Sequence, residues 1–177
     1  MSANELPIPA AWRQQWAAEL ATPNAAGAHC GAQSRWMVFR LGSERCALPA
    51  ASILRSHAPT PSHSLPGRRG TLVPRLMQIE GRLVLMADLV HCLGSARSGD
   101  AGFARTLEMQ AAPAAYALPV DDVLGIADVP DAAIEPAPEH LQGPLRELLH
   151  GLWRDGADAV LLIDARRLAE RLDADLG

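Results

Sequence analysis

The sequence predicts a mainly β protein: two small barrels packed on each other, with only short helices, preceded by a helical N-terminal extension. Three observations carry this. First, short apolar runs divided by closely spaced turns recur from residue 36 to residue 163, a barrel pattern rather than one of alternating strands and long helices. Second, a composite unit occurs twice. In its first copy a Glu80-Gly81 turn leads into an apolar run at residues 83–87. Asp88 then stands at a helix N-cap, Leu89, Cys92 and Leu93 give a short helix its apolar side, and Gly94 suits the left-handed position that ends it. In the second copy Asp155-Gly156, an apolar run at 159–163, Asp164 and a helix follow in the same order, with one residue inserted before the strand. Third, Ala47-Leu48-Pro49 through Ile53-Leu54 is echoed by Ala117-Leu118-Pro119 through Val123-Leu124. Either echo alone is cheap in an Ala-rich chain. Both, in the same order, read as a duplication.

The 177 residues allow one domain, or two small ones sharing a core. Aromatic residues make up 4% of the chain, so the core is built from Leu, Val, Ile and Ala. No apolar run approaches the roughly 20 residues of a membrane span. The N-terminus lacks the basic start and apolar stretch of a secretion signal. The expectation is a cytoplasmic protein without membrane insertion. Cys30, Cys46 and Cys92 show no Cys-x-x-Cys spacing and fit reduced, structural thiols. The net charge of −4 hides an asymmetry. Residues 35–105 hold ten Arg against four acids, a formal +6, whereas residues 106–177 hold five Arg against fourteen acids, a formal −9. Opposite halves suggest charged partner surfaces. The arginines are scattered singly without aromatic interleaving, which argues against nucleic acid.

The elements follow in order. Residues 1–34 form an appendage, in which Trp12, Trp16 and Leu20 share one face of a helix at 10–21 and residues 22–33 are a linker. The helix docks on its own protein or binds a partner, and the first reading is preferred. Residues 36–41 are a strand, 42–45 a hairpin turn and 46–48 the next strand, stopped by Pro49. Residues 51–55 are a helical turn or a bent strand. The Pro-rich stretch 57–70 is an exposed loop. The strand at 83–87 is expected to be buried on both faces. Strands at 103–109, 114–118 and 123–129 follow, then a long Pro-rich loop at 130–144. Strands at 148–153 and 159–163 precede a final helix from about 165 to 174, with Leu168 and Leu172 inside and Arg166, Arg167, Glu170 and Arg171 in water. Trp36 and Trp153 are expected in a barrel core or between the barrels.

The ordered set of strand, Ala-Leu-Pro, Gly81-Arg-Leu-Val-Leu-Met-Ala-Asp-Leu89 and Tyr116-Ala-Leu-Pro-Val-Asp-Asp-Val-Leu-Gly-Ile-Ala-Asp-Val-Pro130 resembles a CheW-like domain over roughly residues 35–173. The stretch His63-Ser-Leu-Pro-Gly-Arg-Arg69 and the N-terminal extension are further similar to CheW-like proteins of surface-sensing (Wsp-type) systems. The resemblance implies a CheW-like domain at 35–177, built of two intertwined SH3-like barrels, the second centred on about residues 103–160. It implies no catalysis and no cofactor. Its implied partners are a CheA-type histidine kinase and the hairpin tip of a methyl-accepting chemoreceptor, the tip lying in a groove between the barrels and the kinase on a barrel end. Self-association is left open.

The chain departs from the family pattern Gly-x-x-Asn-x-Arg-Gly-x-x-x-Pro-x-x-Asp-Leu. It has Arg75, Gln78, Glu80 and Leu85 at the Gly, Asn, Arg and Pro positions, and keeps Gly81, Asp88 and Leu89. Glu80 reverses a charge in a segment that, by resemblance, faces the receptor, and charge reversal at a contact alters recognition. A modulator that binds the kinase but no receptor is therefore the alternative. The partner contact is assigned to Leu54, Ile79, Glu80 and Arg82. An enzyme built on His91-Cys92 or His29-Cys30 is the remaining class. A helix cap at Asp88 and a core thiol at Cys92 explain those residues more simply. His57 and His63 are read as surface histidines, because no pair of His or Cys has metal-site spacing.

Overall fold

The computed structural model describes residues 32–64, 72–73, 75–94, 103–111, 114–138, 141–156 and 158–176. The expected N-terminal helix, nearly all of the first linker, and the stretch 95–102 lie outside these. Eleven strands are present among the described residues: β1 (Gln33–Leu41), β2 (Glu44–Pro49), β3 (Ile53–His57), β4 (Ser62–Ser64), β5 (Arg75–Ile79), β6 (Arg82–Met86), β7 (Arg105–Ala111), β8 (Ala114–Val120), β9 (Asp122–Pro130), β10 (Leu149–Asp155) and β11 (Asp158–Ile163). The helices are short, α1 (Leu89–Cys92) and α2 (Pro144–Leu148), apart from the twelve-residue α3 (Ala165–Leu176).

The strands form two sheets. The first has the order β10-β11-β2-β1-β9 and the second β3-β7-β8-β6-β5-β4. Read from its other end, the second sheet repeats the first, with β5, β6, β8, β7 and β3 in the places of β10, β11, β2, β1 and β9. The duplication seen in the sequence therefore has a structural counterpart, and the repeats are interlaced. Each sheet takes its central hairpin from one repeat and its capped strand from the other. The two recurring signatures meet at that junction. Leu162, in the second capped strand, lies parallel beside Ala47 of the first Ala-Leu-Pro strand. Met86, in the first capped strand, lies parallel beside Ala117 of the second. Strands β9 to β11 thus belong to the first sheet, so the barrels do not follow one another along the chain.

Alternation along the strands builds three cores. Phe39, Cys46 and Leu48 of the first sheet meet Leu107, Met109, Tyr116 and Leu118 of the second, with Leu89 and Cys92 of α1 and Leu168 and Leu172 of α3. The neighbours that point the other way line each barrel: Trp36, Val38, Ala47, Val129, Val160 and Leu162 in the first, Met77, Ile79, Val84, Met86 and Ala117 in the second. Trp36 sits in the first barrel's own core, and the half-buried Trp153 packs against it.

The caps form as the sequence requires. The Asp88 carboxylate accepts from the His91 amide at 3.1 Å, and that of Asp164 accepts from the Arg166 and Arg167 amides at 3.0 and 3.1 Å. Gly94 closes α1 with φ 68°. Glu80 (φ 48°) and Gly81 (φ 79°) form a two-residue turn with both angles positive, which matches the twist of the β5–β6 hairpin.

Several expectations need correction. Strand β6 is buried on both faces only beyond its first residues: Val84 and Met86 line the barrel and Leu85 packs against the shared core, but Leu83 is 70% exposed. Its equivalent in β11, Ala159, is also exposed, so this end of the strand lies beyond the packed core in both repeats. The loop after β3 carries the short edge strand β4. The long Pro-rich loop holds a 3-10 turn at Asp131–Ala133 and a bridge between Glu135 and Leu152, and α2 precedes β10. Arg171 is half-buried rather than in water, with Nη1 3.2 Å from Glu147.

Helix α3 covers the shared core through Leu168 and Leu172, both fully buried. Leu168→Ala is expected to lower the unfolding free energy by about 3 kcal/mol. In urea titrations this appears as a lower midpoint with an unchanged slope.

Candidate functional site

Among the described residues four large apolar side chains stand out on the surface: Leu54 (47% exposed), Leu83, Leu124 (45%) and Ile126 (51%). Leu54 and Leu124 are the last residues of the repeated Ala-Leu-Pro stretch, and the structure makes them equivalent. The β3–β7 register jumps between Ile53 and Arg55, leaving Leu54 as an extra residue. The β1–β9 register jumps where Val38 meets Gly125 and Phe39 meets Val123, leaving Leu124 as the extra residue. A bulge turns a side chain out of the regular alternation. Strands β3 and β9 are also the edges of their sheets, so each bulge presents a leucine at a sheet rim. Leu124 and Ile126 were missed as surface residues because an apolar Val-Leu-Gly-Ile run reads as core, and the only sequence signal was Gly125, whose φ of 123° marks the irregularity.

Beside Leu54 lies a group of charges. One Arg55 nitrogen bridges both oxygens of Glu80 at 2.8 Å. Beneath it, Glu108 of β7 is fully buried. Its Oε2 lies 3.0 Å from His57 Nε2, and its Oε1 accepts from Arg82 at 2.9 Å. Burial pushes the Glu108 carboxyl up, but the hydrogen bonds and charges of His57 and Arg82 outweigh it and hold the group below the usual carboxylate range. Of the residues selected from the sequence, Leu54, Glu80 and Arg82 are exposed around this group. Ile79 is 2% exposed and packs with Met77, Val84, Met86 and Ala117, so it supports the turn from beneath instead of presenting a contact. His57 is not a surface histidine, since it ends β3 with its ring against Glu108.

Part of the charge asymmetry of the chain is paired within the fold. Arg35 pairs with Asp128, Arg40 with Asp122, Arg45 with Asp158 and Arg82 with Glu108, at 3.4, 3.7, 2.8 and 2.9 Å. Each is a basic residue of the first half against an acid of the second. Interlacing puts both halves in the same sheets, so charges that are segregated along the chain neutralise each other across strands.

The cysteine chemistry is also constrained. Burial, with a smaller push from Asp88, raises the Cys92 thiol to about 12, while the neighbouring His91 points into solvent. Burial and Glu44 raise Cys46 equally, to about 12. Neither thiol is available as a thiolate near neutral pH. Among the described residues no three His, Cys, Asp or Glu side chains converge as a metal site, and no helix is long and apolar enough to cross a membrane.

The model of the CheW-like domain matches residues 35–173. The chain belongs to the CheW-like domain family. A solved structure, the scaffolding protein TtCheW from Thermoanaerobacter tengcongensis, shares the fold with a TM-score of 0.67 at 17% identity, over 77% of this chain and 92% of that one. No curated protein matches the sequence. The CheW-like fold accounts for the two interlaced sheets.

Two outcomes follow for Glu108. Arg82→Met leaves a buried carboxylate with one partner, and the expected cost in urea unfolding is about 2 kcal/mol, below the value for a fully buried pair because the Arg82 head is half in water. The depressed Glu108 carboxyl contributes stability above the ordinary Glu range near pH 4 that is lost as pH falls through its lower folded value. Thermal unfolding of wild type between pH 6 and 2.5 should therefore fall more steeply below about pH 4 than that of Glu108→Gln.

Proposed function

We propose that this CheW-like protein is a non-catalytic, cytoplasmic scaffold that couples a chemoreceptor to a CheA-type histidine kinase. The observation that carries the reading is the family match across residues 35–173, which takes in both barrels and both rim leucines. The receptor's partner surface is an α-helical hairpin tip, and a helix needs apolar anchors spaced along an exposed strip. Leu124 and Ile126 on the β9 rim and Leu54 on the β3 rim are such anchors. The kinase's regulatory domain, itself barrel-like, docks on a barrel end.

A second reading, a modulator that binds the kinase without a receptor, is favoured by one observation. Glu80 stands where the family has Arg and is tied to Arg55. The turn next to Leu54 is thereby neutralised within the protein instead of being open to an acidic partner. Titration calorimetry of the full chain against the receptor hairpin and the kinase regulatory domain of the same genome decides between the two. Binding to both supports coupling, binding to the kinase alone supports the modulator, and binding to neither removes both.

Two substitutions refine the test. Ile126→Glu places a charge in the centre of the β9 strip and is expected to weaken hairpin binding at least tenfold with little change in melting temperature. Glu80→Arg removes the pair with Arg55 and makes the turn wholly basic. Hairpin affinity should rise if the turn faces an acidic receptor segment, and an unchanged affinity takes the turn out of the contact.

A further inference from the structure

Apart from the extra edge strand β4, the two barrels have the same strand order, so the residues of the equivalent strands can be matched by register. Phe39 lies opposite Cys46 in the first sheet, and Met109 opposite Tyr116 in the second. This register makes Glu108 the counterpart of Val38, since Glu108 pairs with Ala117 as Val38 pairs with Ala47. His57, opposite Thr106, corresponds to Ala127, opposite Trp36. Arg82, four residues before Met86, corresponds to Asp158, four before Leu162. One barrel therefore holds Val38 and Ala127 at the positions where the other holds a buried Glu-His pair joined to Arg82.

This fold closes a barrel around Val at that position, so the fold alone does not require the carboxylate. A buried ionic group is weak support for stability, and an apolar replacement of similar volume is often neutral or better. What the group does is link strands that are not neighbours in the sheet. In the second sheet β3 and β6 are separated by β7 and β8. His57 of β3 and Arg82 of β6 both reach the same carboxylate on β7. Two residues before His57 and two before Arg82, Arg55 of β3 and Glu80 of the β5–β6 turn make a second link. Both ties join β3 to the β5–β6 hairpin, and between them they set where Leu54 stands relative to the β5–β6 turn.

We infer that Glu108 is a positioning residue, which fixes the β3 rim and the β5–β6 turn as a single partner-facing surface. The inference rests on the coupling reading for what that surface meets, and on geometry alone for the surface itself.

The test uses the full-length protein with Glu108→Val, Arg82→Met and the double variant. Three quantities are read: melting temperature, the methyl NMR signals of Leu54 and Leu83, and affinity for the receptor hairpin. Glu108→Val is expected to melt within a few degrees of wild type, to shift the Leu54 and Leu83 methyl signals, and to bind the hairpin about tenfold more weakly. The double variant should bind no worse than either single one and melt above Arg82→Met, the pattern of residues that act as a unit. Unmoved methyl signals in Glu108→Val overturn the inference, as does loss of its cooperative unfolding, which would make Glu108 a residue of stability. Should wild type fail to bind the hairpin, the coupling reading falls, and the methyl signals still decide the positioning role.

Discussion

The parallel contact between an Ala-Leu-Pro strand and the capped strand of the opposite repeat is the constraint on which the molecule depends. It occurs twice, at Ala47 with Leu162 and at Ala117 with Met86. Without it each repeat is a hairpin, an edge strand and a second hairpin with no shared sheet, and a lone hairpin is marginal in water. With it, each sheet gains one face for its own barrel and one for the common core. The helix caps serve the same junction. Asp88 and Asp164 turn the chain straight from the capped strand into a helix that covers the common core, placing Leu89 and Cys92 in one case and Leu168 and Leu172 in the other. The end of α3 then ties back to the first repeat, where the Asp175 carboxylate accepts from the amides of Leu72 and Val73 at 3.1 and 3.2 Å.

Against this repeated background the differences between the halves mark specialisation. The first barrel is lined by Trp36, Val38 and Ala127, and the second by Thr106, Glu108 and His57. A polar interior in one copy only is costly unless each atom is satisfied, and both Glu108 oxygens are. The rim leucines go the other way. Leu54 and Leu124 have kept both their identity and their exposure in the two copies.

What was legible in the sequence was whatever has a local cause. Caps, turns and short alternating runs come from a few adjacent residues, so the strand at Trp36, the Glu80-Gly81 turn, the Asp88 cap and the apolar side of α3 could be read directly. The pairing of repeats could be suspected from the echo, but which hairpin joins which sheet is a long-range choice that no local pattern records. The misread residues share that origin. Leu83 looks like core because its exposure depends on how far another element extends over it. His57 looks like surface because its partner lies 51 residues away. The charge asymmetry was counted from the sequence, but the pairing of Arg35, Arg40, Arg45 and Arg82 with acids of the chain's other half was not visible there. Of the contact residues selected, Ile79 is the one that is buried, because in a two-residue hairpin the residue before the turn alternates inward when the turn residue faces out.

Interlacing also bears on how the chain is made. A ribosome releases β1 and β2 early, yet their sheet lacks its flanking strands until β9 to β11 have emerged, more than a hundred residues later. For most of synthesis the nascent first hairpin therefore carries an unpaired edge and an uncovered apolar face, the features that recruit chaperones or misassociate with a neighbouring chain. The same topology leaves two truncated halves able to find each other, because each holds the strands the other lacks. A gene cut between β6 and β7 would encode two fragments whose natural partner is one another.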